Sequence, residues 1–149
     1  MKTYTTMETP MGRLVLEGDG SRVVAIGFED PTAFAEARQQ LSEYFAGDRK
    51  SFDFPAEAGG TPFQQRVWAA VDEIAYGTTT TYGRLAEQIG VPRDRIRAVG
   101  AAIGANPLLV VRPCHRVVGA DGSLTGYAGG VERKHELLTL EGARQPQLI

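Results

Sequence analysis

Cysteine and histidine are scarce in this chain: one thiol, Cys114, and two imidazoles, His115 and His135, in 149 residues. A single thiol excludes an internal disulfide, and one Cys with two His is too small a set for a structural zinc site. There is no run of about 18 apolar residues of the kind a membrane-spanning helix needs. The N-terminal MKTYTTMETP also lacks the apolar stretch of a secretory leader. A cytoplasmic monomer is expected, with no membrane contact, no metal and no obligate protein partner.

A large excess of positive charge is missing too. The formal net charge is −2, so the bulk numbers point to no nucleic-acid partner. The distribution says more. Residues 1–60 carry six Lys/Arg against ten Asp/Glu, whereas residues 82–118 carry six Arg (84, 93, 95, 97, 112 and 116) against only Glu87 and Asp94. A basic stretch inside an acidic chain is either a phosphate-facing surface or a solvated helix face.

The apolar content, 42%, is enough for a real core. Arg13–Glu17 and Arg22–Phe28 are short and rich in apolar, β-branched residues, and the turn residues 18–21 lie between them, which predicts a hairpin. Lys2–Thr6 offers a third strand. Asp30-Pro31 has the form of an N-cap and first helical position, predicting a helix from Pro31 to Phe45 that ends at Gly47. Ser51–Gly60 reads as a linker. Thr61-Pro62 opens a second helix whose Phe63, Val67, Trp68, Val71 and Ile74 form one apolar stripe, with Gly77 as its end. Further helices are expected over Tyr82–Ile89 and Arg93–Ala105, forming a helix-turn-helix across Gly90. Leu108–Val111 reads as a buried strand or extended segment, and a last helix covers Val131–Glu141. The fold class is α+β. A small antiparallel sheet with a helix (residues 1–58) precedes a mostly helical, winged-helix-like domain that contains the helix-turn-helix (59–149).

The second helix of that pair is poor in side chain: Ala98, Gly100, Ala101, Ala102, Gly104 and Ala105. Glycine in a helix costs about 1 kcal/mol relative to alanine, so something must approach closely. That is either a neighbouring helix or a narrow external groove. Major-groove readers carry long polar side chains to reach base edges; this helix has almost none and suits a binder indifferent to sequence.

A lone cysteine is more often a small buried hydrophobe than a nucleophile, so the neighbours of Cys114 must decide. Pro113 precedes it and His115 follows. An imidazole can take the thiol proton directly or through a water, and such a base needs an orienting third group, for which Glu141 on the last helix is the candidate.

At these residues the chain resembles a known family. Asn106-Pro107, Pro113-Cys114-His115-Arg116-Val117-Val118-Gly119 and Gly126-Tyr127-Ala128-Gly129-Gly130 resemble the active-site signature of the O6-alkylguanine-DNA alkyltransferases. So do Thr61-Pro62-Phe63-Gln64, Val67-Trp68, Thr81-Tyr82-Gly83 and Arg97-Ala98-Val99-Gly100. The match spans about residues 61–142. The resemblance implies that Cys114 accepts an alkyl group from O6 of guanine, with O4-alkylthymine a further candidate substrate, once per molecule and without a cofactor. It implies that His115 and Glu141 activate the thiol, that Asn106 braces the turn carrying it, and that Tyr82 donates toward the guanine. It places Arg97, Ala98, Tyr82 and Arg116 at double-stranded DNA, with the small-residue helix in the minor groove. It puts Tyr82, Val117, Tyr127, Ala128 and Gly129 around the alkylguanine.

The chemistry is coherent. The O6 atom lies inside the duplex, so the nucleotide must be flipped out at a cost of a few kcal/mol. Displacement at a saturated carbon needs no oxyanion hole, and the thioether product has no carbonyl for water to attack. Position 112 is Arg where the family usually has Ile or Val, Ala128 stands where it can carry Ser, and one extra residue falls in the Val91–Arg95 turn. Two rival readings are a protein that binds alkylated bases without transfer, a class that lacks the acceptor cysteine, and a cysteine hydrolase, which would need turnover.

Overall fold

The computed structural model describes residues 2–144. They fall into two compact units, dividing between Arg38 and Gln39.

The first unit is an antiparallel sheet of three strands in sequence order: β1 (Thr3–Thr9), β2 (Gly12–Gly18) and β3 (Val23–Phe28). The β1–β2 register runs from Thr3 opposite Gly18 to Thr9 opposite Gly12. Between β2 and β3 the Asp19 carboxylate accepts from the backbone N–H groups of Ser21 and Arg22, the side-chain turn that Asp favours. The sequence placed both hairpin strands to within a residue or two.

Helix α1 (Ala35–Phe45) begins four residues later than Pro31. Asp30 does cap something, but it is a turn: its carboxylate accepts from the backbone N–H and hydroxyl of Thr32, at 2.8 and 2.6 Å. Phe34 then adopts a left-handed φ of 56°, which no helix continues through.

In the second unit, residues 51–60 form no helix or strand but are not a loose linker. Phe52 packs on Tyr44 and Phe54, and Gln40 exchanges two hydrogen bonds with Asp53. Helix α2 (Pro62–Asp72) opens with a complete capping box, Thr61 and Gln64 satisfying each other's backbone N–H. It stops at Asp72, short of Gly77. Trp68 is core, as its place in the stripe implied: it is buried and its indole N–H donates to the Ala102 carbonyl at 2.8 Å.

Helices α3 (Tyr82–Gln88) and α4 (Ile96–Gly104) form the helix-turn-helix. Gly90, at φ 75°, lets the Val91 and Gly90 N–H groups return to the Ala86 and Glu87 carbonyls, closing α3. Arg93–Arg95 form a 3-10 turn before α4 starts.

Two short strands, β4 (Thr80–Thr81) and β5 (Val117–Val118), pair in parallel, Thr80 with Val117 and Thr81 with Val118. Pairs this short leave no periodicity in a sequence, yet this one fixes the start of α3 beside the segment that carries Cys114. Helix α5 (Val131–Leu140) closes the unit, with Glu141 as its C-cap. The core gathers Val67, Trp68, Val71, Leu85, Val99, Ile103 and Val117.

Candidate active site

Leu108–Val111 is not a strand. It is a tight turn in which Val111 N–H donates to the Leu109 carbonyl at 2.8 Å and Val110 sits at φ 72°. Left-handed geometry costs a β-branched residue on the order of 1–3 kcal/mol, and the surroundings must hold it there. Asn106, buried, does much of the holding. Its carbonyl accepts from Leu108 N–H at 3.0 Å and its amide reaches the Leu108 and Arg112 carbonyls, both at 3.4 Å. A side chain thus replaces the ladder a strand would have used. Pro113, at φ −81° and ψ 56°, makes an inverse γ-turn in which Cys114 N–H donates to the Arg112 carbonyl at 2.8 Å. The chain then enters a 3-10 turn, Cys114–Arg116, and β5.

Cys114 is 2% exposed and lines a cavity of about 490 Å3 together with Tyr82, Gly100, Gly104, Thr125, Tyr127 and Ala128. That volume lies within the range of small-molecule sites. Burial pushes the thiol up to about 12; the Asn106 amide and the Arg112 charge pull in the other direction without overcoming it. Deprotonation therefore needs a partner base during the reaction. The Thr125 and Tyr82 hydroxyls lie 3.2 Å apart; with Thr125 donating, the Tyr82 proton is available to a ligand in the cavity.

His115 is wholly buried. Its Nε2 lies 2.7 Å from Oε2 of Glu141. A carboxylate can only accept, so Nε2 carries the hydrogen and, in the neutral ring, Nδ1 is the basic nitrogen. Nδ1 is buried and has no hydrogen-bond partner among the described residues. Burial alone would raise the Glu141 carboxyl, but donors on His115, Arg116 and Tyr44 outweigh it and hold it near 2. It stays ionised although it caps a helix C-terminus, where the dipole disfavours an anion.

Of the five residues expected around an alkylated base, Tyr82, Tyr127 and Ala128 line the Cys114 cavity. Val117 is fully buried in the β4–β5 pair, and Gly129 faces a neighbouring cavity beside Leu109 and Tyr127. Arg97 is exposed on α4, and Ala98 half-buried beside it. The expectation that Arg116 faces DNA is overturned. Arg116 is 7% exposed and turned inward, with Nε and Nη2 on Glu141 and Nη1 on the Ile74 carbonyl at 2.6 Å, so each of its three nitrogens is held by a partner inside the protein. Arg112, the departure from the family pattern, pairs with Asp72 at 3.2 Å and lays its guanidinium over Trp68, 4.8 Å from the ring centroid.

The open question about α4 is answered by its glycines. A methyl group built on Gly100 or Gly104 would meet nothing within 4 Å. No neighbouring helix requires them; the space they leave is open and forms part of the cavity wall.

Two residues escaped the sequence. Lys134, on α5, is fully buried; its ammonium donates to the Thr125 and Gly126 carbonyls at 3.1 and 3.4 Å, tying down the loop that lines the cavity. Desolvation lowers it to about 8. A lysine in an amphipathic helix gives no sign of this. Tyr44 donates to Glu141 across 97 positions of sequence. Among the described residues no group of three or more His, Cys, Asp or Glu could hold a metal ion, and no helix is long and apolar enough to cross a membrane.

Both halves of the chain have counterparts among known proteins. Residues 2–58 match the ribonuclease-like domain of 6-O-methylguanine DNA methyltransferase, and residues 62–143 match its DNA binding domain. The methylated-DNA–protein-cysteine methyltransferase of Mycobacterium tuberculosis is 47% identical, over 96% of this chain and 94% of its own. The constitutive enzyme of that name from Bacillus subtilis is 41% identical, over 95% and 96%. A crystal structure of the Mycobacterium tuberculosis protein in complex with DNA superposes with a TM-score of 0.74 at 47% identity, covering 96% of this chain and 94% of that one. With both of its halves matched and its relatives covered almost end to end, the chain belongs to the 6-O-methylguanine DNA methyltransferase family.

Proposed function

We propose that this protein repairs O6-alkylguanine in double-stranded DNA by moving the alkyl group irreversibly onto Cys114. The observation that carries the proposal is a single buried thiol lining a cavity that also holds a tyrosine hydroxyl, beside an imidazole anchored by a buried carboxylate. The sulfur attacks the alkyl carbon, the S–C bond forms and the C–O6 bond breaks. The guanine keeps the electron pair of the broken bond, with Tyr82 donating toward it as its charge grows. The thiol proton passes to Nδ1 of His115, directly or through a water, and Glu141 stabilises the imidazolium. The product is a thioether, so each molecule acts once and no cofactor takes part.

In this reading residues 1–58 form the small domain and 59–149 the part that binds DNA and carries out transfer, in the cytoplasm. The face of α4 bearing Gly100 and Gly104 enters the minor groove, where side chains longer than methyl would obstruct the approach. Arg97, on that helix, fills the stack where the nucleotide leaves. Ala128 contributes its backbone N–H toward O6, and the Val117 backbone accepts from the exocyclic amine. The test uses Cys114→Ala. Binding to a duplex containing O6-methylguanine is retained, because the grip comes from the helix-turn-helix and phosphate contacts, while loss of methyl from the DNA stops. Continued demethylation by the variant would refute the proposal.

A further inference from the structure

The carboxylate that anchors His115 has more donors than an orienting group requires. Oε1 of Glu141 takes Arg116 Nε at 2.7 Å. Oε2 takes three: Tyr44 hydroxyl at 2.5 Å, His115 Nε2 at 2.7 Å and Arg116 Nη2 at 3.0 Å. Two of these partners neighbour Cys114 in the chain. The third comes from the last turn of α1, within the stretch that matches the ribonuclease-like domain and outside the stretch that contains Cys114, His115 and Glu141.

Tyr44 is completely buried, its ring packed among Phe45, Phe52 and Tyr76. Phenylalanine would satisfy that packing. The hydroxyl is needed only at Glu141, and it binds the same oxygen that holds the imidazole. A donor there does two things. It fixes the rotation of the carboxylate, so that Oε2 stays in line with Nε2. It also draws charge from Oε2, which would otherwise hold the imidazole proton more tightly and favour the protonated, non-basic ring.

We propose that Tyr44 is a positioning residue for alkyl transfer, setting through Glu141 the orientation and basicity of His115. This rests on the reading above, in which His115 takes the Cys114 proton. The titratable and charged groups facing the carboxylate and the imidazole are Tyr44 from α1, His115 and Arg116 from the Cys114 turn, and Tyr127 from the cavity loop, whose ring centroid lies 6.3 Å from that of His115. Beyond Arg116 lies Tyr76, whose ring also meets the Lys50 ammonium.

The experiment is single-turnover methyl transfer from duplex O6-methylguanine, followed as a pH profile from about pH 5 to 8, with melting curves on the same samples. Tyr44→Phe keeps its fold and its affinity for the duplex. It loses about tenfold in rate at the acidic end and less at the alkaline end, since the acidic limb of the profile moves to higher pH. In a Glu141→Gln background the same substitution has no further effect, because its route to the sulfur is gone. An unchanged profile, a uniform loss that merely follows the melting temperature, or full additivity with Glu141→Gln would overturn the inference. Wild-type protein that takes up no methyl at all would instead overturn the reading of the reaction, and the two failures are thereby distinguished.

Discussion

Arg116 grips Glu141 with two nitrogens, Nε on Oε1 at 2.7 Å and Nη2 on Oε2 at 3.0 Å, and both side chains are buried. The arginine that follows Pro-Cys-His is therefore part of the support under the relay. Removing one partner of a buried pair leaves an uncompensated charge and costs about 3–5 kcal/mol. Arg116→Met should lose stability on that scale in denaturant unfolding. The slope of DNA affinity against salt should not change in the folded fraction. A phosphate contact would behave oppositely, with little loss of stability and a slope shallower by about one.

The same carboxylate predicts an acid limit to stability. Glu141 is held near 2 in the fold, against an ordinary value of 4.5. A depressed carboxyl contributes stability that is complete above its unfolded value and is lost as pH falls through the folded one. The contribution should thus disappear between about pH 4.5 and 2, and it amounts to a few kcal/mol. Exposed carboxylates titrate in the same window, so the readout is a difference. Glu141→Gln should melt below wild type at pH 7, and the gap should narrow steadily on acidification. A gap independent of pH would mean that the ionised form is not what the network stabilises.

Gly100 offers a position at which folding and the proposed DNA contact can be tested separately. Space beside Gly100 is open in the free protein, so the fold does not need glycine there. Gly100→Ala should leave the melting temperature unchanged or raise it, by up to about 1 kcal/mol of helix propensity. Gly100→Leu should stay folded but bind duplex DNA at least about tenfold more weakly, equivalent to about 1.4 kcal/mol. Undiminished affinity in the leucine variant would remove α4 from the DNA interface.

Much of this architecture could be read from residue order. Thr61-Pro62 placed the start of α2 because capping is a local interaction. Cys114 and Tyr82 stood out through motif resemblance, and the cavity brings them together. The misreadings share a physical cause. Leu108–Val111 has the composition of a strand, but its backbone is satisfied by the Asn106 side chain, a contact that apolar patterning does not encode. Arg116 sits in a basic stretch and looked like a phosphate ligand, but the position of Glu141 in space turned it inward. Tyr44 offered no signal, because its hydroxyl acquires meaning only when α1 meets the end of α5.

Arg112 replaces the aliphatic residue usual before Pro-Cys-His. Its guanidinium lies over Trp68 and pairs with Asp72, with side chains 13% and 47% exposed. The donors Arg116, His115 and Tyr44 occupy Glu141, so Arg112 does not compete for the relay. The ion pair, exposed at its Asp72 end, contributes about 1 kcal/mol at most, and the stacked cation, largely shielded from water, about 2 kcal/mol. Arg112→Ile should change the rate of single-turnover transfer by less than about tenfold and stability by less than about 3 kcal/mol. A larger rate effect at constant stability would place Arg112 in the reaction, through its charge near the thiol.

The central claim is that Cys114 keeps the alkyl group. Its most direct test is the intact mass of the protein after incubation with excess duplex containing O6-methylguanine, followed by fragmentation to locate any adduct. The account predicts a gain of one methyl group per molecule, located on Cys114, with guanine restored in equal amount and no second turnover. Guanine restored in excess over protein with the protein mass unchanged, or a methyl group on any other residue, would contradict it.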